Sequence, residues 1–397
     1  MNKENLLFVI PSLAAGGGEK SLVNLLSQID YEKYHVDLFL FNHEGLFMDY
    51  LPKQVKILPL PNLYKLYSLP FSQSMKELLK KGEFSLAISR LFFTLKNRTE
   101  SDISKREQYS WKYLAKSLNN LEKKYDAAIG FLEKTSTYFC VEKVNANKKI
   151  GWVHIDYDKL GMDPNFDLDY FENLNSIVTV SEECAKIFCN RFPYQQNKVE
   201  VIYNIVSPKV IKQMAGQETK DLYDRKKNEV ILLTVGRLHY QKGLEIAIAS
   251  CRKVLDLGYN IRWYVIGEGE EREKLTRLIK ANKLEHHFFL LGLKANPYPY
   301  IKQADIYAQT SRFEGKSIAL DEAMILGKPI LVTNFSTAKD QIQDGKTGVI
   351  VEMNAEDVAR GIVKLILDKK LRDTLTENLT KVDLGTEEEI EKLYKIL

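Results

Sequence analysis

The sequence has few cysteines and no long apolar run. Its four cysteines are scattered, with no C-x-x-C pair and no spacing suited to a metal: Cys140, Cys184, Cys189 and Cys251. Isolated thiols of this kind are typical of a reducing compartment. No stretch approaches the roughly 20 apolar residues that cross a bilayer. The apolar run 6–10 is too short for a signal peptide and is interrupted by Pro11, so a buried strand explains it better. We expect a cytoplasmic protein, either free or peripheral on the inner face of the cell membrane.

Strong charge of one sign is also absent. The net charge is +4. The composition, with 45% hydrophobic and 28% charged residues, is typical of a soluble globular protein. We therefore expect no nucleic-acid partner. A chain of 397 residues exceeds one ordinary core and predicts two domains of similar size.

Neither of the common nucleotide-binding fingerprints is complete. The run A-A-G-G-G-E-K at 14–20 follows the first strand and leads into a helix. Its glycines allow a ligand to approach the backbone, and the helix N-terminus behind them favours an anion. It lacks both G-x-G-x-x-G and a closing Gly-Lys-Ser/Thr. A tight strand-to-helix turn without a ligand is the alternative.

Short apolar β-runs alternate with helical segments along both halves. They occupy 6–10, 35–41, 55–58, 125–131 and 149–154 in the first half, and 230–235, 261–266, 288–292 and 330–333 in the second. This alternation predicts an α/β protein with parallel, doubly wound, Rossmann-like sheets. We expect an N-terminal domain over 1–206 and a C-terminal domain over 207–380, joined by a polar linker at about 207–228. One hypothesis for the helix over 381–397 is that it crosses back onto the first domain.

The segment 66–124 differs from this pattern, because basic and aromatic residues interleave along predicted helices. One interpretation is peripheral contact with an anionic membrane. The other is a set of helices that cover the first sheet, with solvated lysines.

A second unusual stretch is S-R-F-E-G-K-S-I-A-L-D-E-A-M-I-L-G-K-P at 311–329. It predicts a loop, a helix that ends near Gly327, and then a strand. Glu314 and Glu322 bracket the turn and the helix start. The alternatives are a capping box from Ser311 to Glu314 and a solvated Glu322.

Two further stretches carry candidate site residues. After the strand 230–235, Gly236-Arg237 and Lys242-Gly243 place two cations beside a helix start, which favours an anion such as a diphosphate. His154, followed closely by Asp156, ends a predicted strand, where open α/β sheets place ligands. The alternatives are a surface Arg/Lys pair and an ordinary loop histidine.

Together these motifs resemble the retaining glycosyltransferases of family 4, which have the GT-B architecture. The resemblance rests on E-x7-E, G-R-L-x-x-x-K-G, the glycine turn with Glu19, the sequence W-V-H, and the runs 177–182 and 201–204. It implies two Rossmann-like domains facing across a cleft. It also implies transfer of a sugar from a nucleoside diphosphate sugar, UDP- or GDP-linked, to a hydroxyl acceptor with retention and without a metal. The acceptor expected at family level is a lipid-linked oligosaccharide or another glycan, in capsule, exopolysaccharide or lipopolysaccharide assembly.

The resemblance also assigns roles to residues. The catalytic set is His154, Arg237, Lys242 and Glu314. The donor-binding set is Gly17, Gly18, Gly236, Arg237, Lys242, Gly267, Gly292, Glu314, Gly315, Lys316, Ser317 and Glu322. The acceptor-side set is Glu19, His154 and Asp156. The chain departs from the family where many members have E-G-F-G, because Lys316 and Ser317 follow Gly315.

Two other functions stay open from the sequence. A non-catalytic partner subunit that binds a sugar nucleotide would keep the fold without turnover. A nucleotide-dependent oxidoreductase would use the Rossmann-like halves, although neither glycine turn carries the dinucleotide fingerprint.

Overall fold

The computed structural model describes residues 3–14, 16–217, 222–223, 225–226 and 228–397. These residues form two compact units. The first contains the described residues up to Ala14, Gly18–Ile202 and Ile390–Leu397. The second contains residues 16–17 and the described part of Tyr203–Glu389. Each unit is built on one parallel β-sheet.

The strands follow the predicted apolar runs. In chain order they are β1 Glu4–Ile10, β2 Tyr34–Leu40, β3 Lys56–Ile57, β4 Tyr125–Gly130, β5 Ala146–Val153, β6 Ser176–Thr179, β7 Val199–Val201, β8 Val230–Val235, β9 Ile261–Ile266, β10 Phe288–Leu290, β11 Ile306–Gln309, β12 Ile330–Thr333 and β13 Val349–Val351.

Helices connect most of these strands. In chain order they are α1 Gly17–Gln28, α2 Asn62–Ser68, α3 Phe71–Lys80, α4 Phe84–Thr99, α5 Ile103–Leu114, α6 Thr135–Lys143, α7 Pro164–Glu172, α8 Glu182–Arg191, α9 Pro208–Met214, α10 Leu244–Asp256, α11 Arg272–Ala281, α12 Tyr298–Gln303, α13 Ile318–Ile325, α14 Ala338–Gln341, α15 Ala355–Leu367, α16 Lys369–Thr380 and α17 Ile390–Ile396.

The first sheet has the strand order β3-β2-β1-β4-β5-β6-β7. All its pairings are parallel, with Leu6 opposite Val36 on one side and Ala127 on the other. The chain therefore builds outward from β1 in one direction and then resumes on the other side at β4. The loops after β1 and β4 diverge at this switch point, which is where doubly wound sheets bind ligands.

The second sheet repeats the arrangement with the order β10-β9-β8-β11-β12-β13. Leu232 of β8 lies opposite Trp263 of β9 and Ile306 of β11. Its switch point lies between β8 and β11. The predicted fold class, an α/β protein with two doubly wound parallel sheets, is confirmed.

The boundary between the units lies at Tyr203, a few residues before the predicted 206/207. Val206 is in the apolar core of the second unit. Its backbone N–H donates to Thr386 Oγ1 at 2.8 Å, and that hydroxyl donates to the carbonyl of Asn204 at 2.8 Å. These bonds hold the residues after Ile202 within the second unit.

The predicted linker at 207–228 is partly structured. The helix α9 begins at Pro208, and Ile211 on it is buried in the core of the second unit. The prediction of a plain linker is therefore wrong for 208–214, because the apolar side of this helix packs on the core of the second unit. Residues 218–221, 224 and 227 lie outside the described residues.

The last helix, α17, packs on the first unit. The Tyr394 ring stacks on Tyr34 with 5.4 Å between centroids, and its hydroxyl oxygen accepts from the Asp30 N–H at 2.8 Å. Leu393 is completely buried. Residues 381–389, which the sequence analysis grouped with this helix, stay with the second unit.

Among the described residues, none of the helices is both long enough and apolar enough to cross a membrane.

Leu393 offers a test of how α17 supports the first unit. We expect Leu393→Ala to lower the free energy of unfolding of that unit by about 3 kcal/mol, because it empties a buried leucine site. A Trp263→Phe background leaves Trp111 and Trp152, both in the first unit, as the fluorescent reporters. Lys395→Ala changes an exposed residue of the same helix and is the matched control. An equal effect of both substitutions would contradict this packing.

Candidate functional site

Hydrogen bonds join the loops that follow β8 and β11 at the switch point of the second sheet. The backbone N–H of Arg312 donates to the carbonyl of Gln241 at 2.7 Å, and its guanidinium donates to that of Tyr240 at 2.7 Å. The Thr310 hydroxyl donates to the carbonyl of Lys242 at 3.1 Å. The two sequence motifs of this half thus form one continuous structure.

Two glycines are required for this close approach. Gly243 has a φ of +56°, and a Cβ there would lie 2.3 Å from the Thr310 carbonyl oxygen. Gly267, after β9, has a φ of +154°, and a Cβ there would lie 1.9 Å from the Gly236 oxygen. Any larger residue would push the turns apart at the carboxyl ends of the strands.

Lys242 and Glu314 form a direct ion pair at this point. Lys242 Nζ lies 2.5 Å from Glu314 Oε1, and both side chains are largely buried. The stem of the lysine passes over Gly236, where a Cβ would lie 3.1 Å from Lys242 Cε. The sequence analysis did not anticipate this contact between the cation and the carboxylate.

Glu314 accepts hydrogen bonds from three further side chains. Ser311 Oγ donates at 2.5 Å and Gln309 Nε2 at 3.1 Å to Oε1, while Gln241 Nε2 donates at 3.1 Å to Oε2. With only 5% of Glu314 exposed, these donors replace water around the carboxylate. The carboxylate is therefore held in one fixed position.

The helix α13 begins at Ile318 and is capped by Ser317, whose hydroxyl oxygen accepts from the N–H of Leu320. A capping box starting at Ser311 is therefore wrong, because the helix starts later. Glu322 is 1% exposed and accepts from the Tyr298 hydroxyl at 2.9 Å. The alternative of a solvated helix residue is wrong for Glu322 as well.

Lys316 and Ser317, the two departures from the family pattern, both have partners within the protein. Lys316 Nζ lies 2.7 Å from Asp321 Oδ2, and Asp321 also accepts from Gln341 at 2.7 Å. The Ser317 hydroxyl donates to Gln309 at 2.9 Å. Both residues thus have contacts within the protein, and their assignment to the donor stays a prediction.

The remaining donor-side residues lie on the same rim of the second sheet. Arg237 is exposed on the turn after β8, and Gly315 is buried in the loop after β11. The N–H of Gly267 donates to the carbonyl of Gly292 at 3.0 Å, which joins the turns after β9 and β10. All these positions therefore share one edge of the sheet.

Gly17 and Gly18 form the N-terminal end of α1, and Glu19 is buried in its first turn. A Cβ on Gly18 would lie 2.8 Å from the Leu132 side chain. The turn after β1 therefore touches the loop after β4, as expected at a switch point.

The loop after β4 contains a residue that the sequence analysis missed, Glu133. Its carboxylate accepts from the backbone N–H of His154. Burial raises the pKa of Glu133 to about 7. The next residue, Lys134, has a φ of +64° and is held by an ion pair with Glu107 at 2.6 Å. Left-handed backbone at a non-glycine residue costs free energy and often accompanies a functional site.

The His154 side chain packs beside two aromatic rings. Its ring centroid is 4.8 Å from that of Phe131 and 6.0 Å from that of Trp152. Burial lowers the pKa of His154 to about 3, so the imidazole is neutral at physiological pH. Among the described residues, its buried Nε2 has no hydrogen-bond partner. A neutral imidazole can offer this atom to a ligand hydroxyl.

Asp156, another residue predicted on the acceptor side, follows β5. It is buried, and its Oδ1 accepts from the N–H groups of Asp158 and Lys159 at 3.1 and 3.3 Å. It caps the short 3₁₀ turn Tyr157–Lys159. The assignment of Asp156 to the acceptor side stays a prediction.

Comparison with known proteins gives a family match for the second half. Residues 217–382 match the model of the glycosyl transferases group 1. A Campylobacter jejuni N-acetylgalactosamine-N,N'-diacetylbacillosaminyl-diphospho-undecaprenol 4-alpha-N-acetylgalactosaminyltransferase is 30% identical over 183 residues, 46% of this chain and 48% of that protein. Three Methanocaldococcus jannaschii proteins named as uncharacterised glycosyltransferases are matched over 43%, 57% and 53% of their lengths. The chain thus spans about half the length of the curated relatives it matches.

Solved structures match the chain from end to end. A mutant of Staphylococcus aureus TarM in complex with fondaparinux, alpha-GlcNAc-glycerol and UDP has a TM-score of 0.67 at 16% identity, covering 99% of both chains. Anabaena HepE in complex with UDP and glucose has a TM-score of 0.69 at 15% identity, covering 99% of this chain and 98% of that one. This is the GT-B fold. The two parallel sheets described above form the cores of its two Rossmann-like domains.

Three of the polar residues near the two switch points had weak sequence signals. Glu133 follows the apolar strand β4 by only a few residues. The sequence does not show which strands lie beside β4, so it does not show what Glu133 contacts. Gln309 ends an otherwise apolar strand and is buried, which is a usable signal. Gln241 lies inside the G-R-L-x-x-x-K-G motif at a position that the motif leaves unspecified.

The raised pKa of Glu133 predicts a pH-dependent stability. The folded carboxyl titrates at about 7 against 4.5 for the ordinary group, so the folded state binds more protons between these values. The free energy of unfolding therefore falls as pH rises from 4.5 to 7. We expect Glu133→Gln, which keeps an acceptor for His154, to be more stable than the parent by about 2 kcal/mol at pH 8.

The same comparison at pH 4.5 should show little difference, because the carboxyl is then mostly protonated in the folded protein. Urea unfolding followed by tryptophan fluorescence measures both values. The control Glu122→Gln lies on the exposed surface of the same domain and should show no pH-dependent change. A difference for Glu133→Gln that is equal at both pH values would contradict the buried, raised pKa.

Proposed function

We propose that the protein is a retaining glycosyltransferase of the family 4 type, which transfers a sugar from a nucleoside diphosphate sugar to a hydroxyl acceptor. The observation that carries the proposal is the buried Lys242–Glu314 pair at the switch point of the second sheet. Both residues lie inside the segment that matches the glycosyl transferases group 1. The pair joins the loops after β8 and β11 at the switch point, which is where doubly wound sheets bind ligands.

The donor in this proposal is a UDP- or GDP-linked sugar. Lys242 and Arg237 flank the turn after β8, and such a turn before a helix attracts a diphosphate. The fold neighbours TarM and HepE were solved in complex with UDP, which supports a uridine nucleotide. We propose that these cations serve the diphosphate without a metal.

The chemistry follows from where charge develops. As the bond between the sugar C1 and the diphosphate oxygen breaks, negative charge grows on the leaving diphosphate. Lys242 and Arg237 stabilise that charge, which is the largest catalytic contribution such a site can make. The acceptor hydroxyl oxygen bonds to C1, and its proton leaves with the diphosphate or to solvent.

Glu314 orients the reacting groups in this scheme. It accepts four hydrogen bonds from its neighbours, so we assign it to positioning Lys242 and the sugar rather than to covalent attack. Binding of a diphosphate gives Lys242 a second anionic partner. Glu322 would contact the ribose, and access to it requires a shift of side chains such as Tyr298, which bonds its carboxylate.

On the acceptor side we assign His154 and Glu133. The unpartnered Nε2 of His154 is suited to accept a hydrogen bond from a sugar hydroxyl. The acceptor we propose is a lipid-linked oligosaccharide or another glycan of a surface polysaccharide. The Campylobacter relative, whose name specifies a diphospho-undecaprenol acceptor, supports this class.

Incubation with a panel of UDP- and GDP-sugars tests the reaction class. We expect slow release of the nucleoside diphosphate without acceptor, and faster release when a glycan acceptor is added. Thermal stabilisation by a sugar nucleotide without any release would instead indicate a non-catalytic binding subunit. Oxidation of NADH would indicate an oxidoreductase, and either result overturns the proposal.

The ion pair allows the catalytic and structural roles of Lys242 to be separated. We expect Lys242→Met to lower both turnover, by about 100-fold or more, and stability, because Glu314 is left charged and buried. Adding Glu314→Gln should restore much of the stability but none of the turnover. Thermal unfolding and diphosphate release measure the two effects.

The control is Lys346→Met, which changes an exposed lysine of the same domain. It should leave turnover within about twofold, and the free energy of unfolding within about 0.5 kcal/mol, of the parent. Recovery of turnover in the double variant would show that Lys242 acts only on folding. That result would remove it from the diphosphate site.

A further inference from the structure

The helix α4 exposes its apolar side to solvent. Five large apolar side chains recur along it at intervals of three or four residues with one adjacent pair: Phe84, Ile88, Leu91, Phe92 and Leu95. They are 64%, 58%, 41%, 48% and 45% exposed. Surface helices usually turn such a stripe toward the core. A contiguous exposed stripe of this kind marks an interaction site.

Packing of the opposite side fixes this orientation. Leu86, Ala87 and Ser89 are buried beneath the helix. The Arg90 guanidinium donates to the carbonyls of Tyr67 at 2.8 Å and Leu69 at 3.3 Å. The Ser89 hydroxyl donates to the carbonyl of Tyr113 at 2.9 Å. The apolar stripe therefore cannot turn inward without breaking buried polar contacts.

The neighbouring helices extend the exposed apolar surface. Phe71 and Leu79 on α3 are 37% and 47% exposed, and Ile103 at the start of α5 is 63% exposed. The Phe92 ring stacks on Tyr113 of α5 with 5.8 Å between centroids. We call α4 and these neighbouring side chains the α4 surface.

The charges that accompany the α4 surface have one sign. Between residues 62 and 118, every ionisable residue that is exposed rather than partly buried is basic: Lys65, Lys76, Lys80, Lys81, Arg98, Lys112 and Lys116. The acidic residues of this segment are partly buried, and two are paired, Glu100 with Lys96 at 3.3 Å and Glu107 with Lys134 at 2.6 Å.

We propose that the α4 surface docks on a lipid bilayer that carries acidic phospholipids, with α4 lying in the plane of the interface. The apolar stripe enters the boundary between headgroups and acyl chains, and the lysines and Arg98 meet the lipid phosphates. From Phe84 to Leu95 the stripe is about 16 Å long. This inference does not depend on the proposed reaction.

The charge pattern favours lipid over other partners. A second copy of the chain bound face to face would bring two basic surfaces together, which is repulsive. A nucleic acid would satisfy the lysines but leave the apolar stripe in water. An anionic bilayer satisfies both sets of side chains.

Co-sedimentation of the full chain with vesicles tests the proposal. Vesicles of phosphatidylcholine containing 30% phosphatidylglycerol are compared with vesicles of phosphatidylcholine alone, at about 50 and 500 mM salt. We expect binding to the anionic vesicles that weakens at high salt, because surface charges are screened. Phe84→Ser with Ile88→Ser should lower the vesicle partition coefficient at least tenfold, as should Lys76→Gln with Lys80→Gln and Lys116→Gln.

Controls change exposed residues of the same types elsewhere. Tyr194→Ser with Leu367→Ser removes apolar groups, and Lys369→Gln with Lys370→Gln removes charge, and both should leave vesicle binding unchanged. All changed side chains are exposed, so thermal unfolding should stay close to the parent. Three results would overturn the proposal: no binding to anionic vesicles, equal binding by the α4 variants, or a dimer in sedimentation velocity that the Phe84/Ile88 variant abolishes without any vesicle binding.

Discussion

The ion pair between Lys242 and Glu314 is the interaction on which the arrangement of the second domain depends. It joins the turn after β8 to the loop after β11, the two connections that diverge at the switch point of the sheet. Gly243 allows the loops to touch, and Gln241, Gln309 and Ser311 complete the shell of donors around the carboxylate. A buried pair of this kind is stable only because both carboxylate oxygens accept from nearby donors. The same contacts fix the cation at the carboxyl ends of the strands.

The first domain uses the same topology with opposite chemistry. Its switch point brings the turn after β1 against the loop after β4. The polar groups there include a histidine that burial keeps neutral and a glutamate whose pKa burial raises to about 7. A neutral imidazole and a weakly acidic carboxyl suit hydroxyl groups better than phosphates. The two domains are thus related in backbone plan but differ in the ligand chemistry that their switch points favour.

Much of the fold could be predicted from the sequence, because alternation of apolar strands and helices determines the class of sheet. Glu314, Lys242 and His154 were found because they belong to motifs or follow apolar strands. Glu133 was missed, since its importance depends on which strand neighbours β1, and strand order is set by tertiary packing. The contacts of Lys316 with Asp321 and of Asp156 with a 3₁₀ turn could not be predicted, because a sequence does not show which groups the folded backbone brings together. The sequence did not predict that the apolar side of α4 is exposed either, because its apolar spacing resembles that of a core helix.

The position of α17 has a consequence for biosynthesis. Leu393 and Ile390 complete the hydrophobic interior of the first unit, yet the ribosome adds them after the whole second unit has been made. Nascent chains fold largely from the N-terminus as they emerge. The amino-terminal half must therefore wait, incompletely closed, until residues 390–397 have been made, and a chain that stalls or is cut before them would expose this interior to chaperones and proteases.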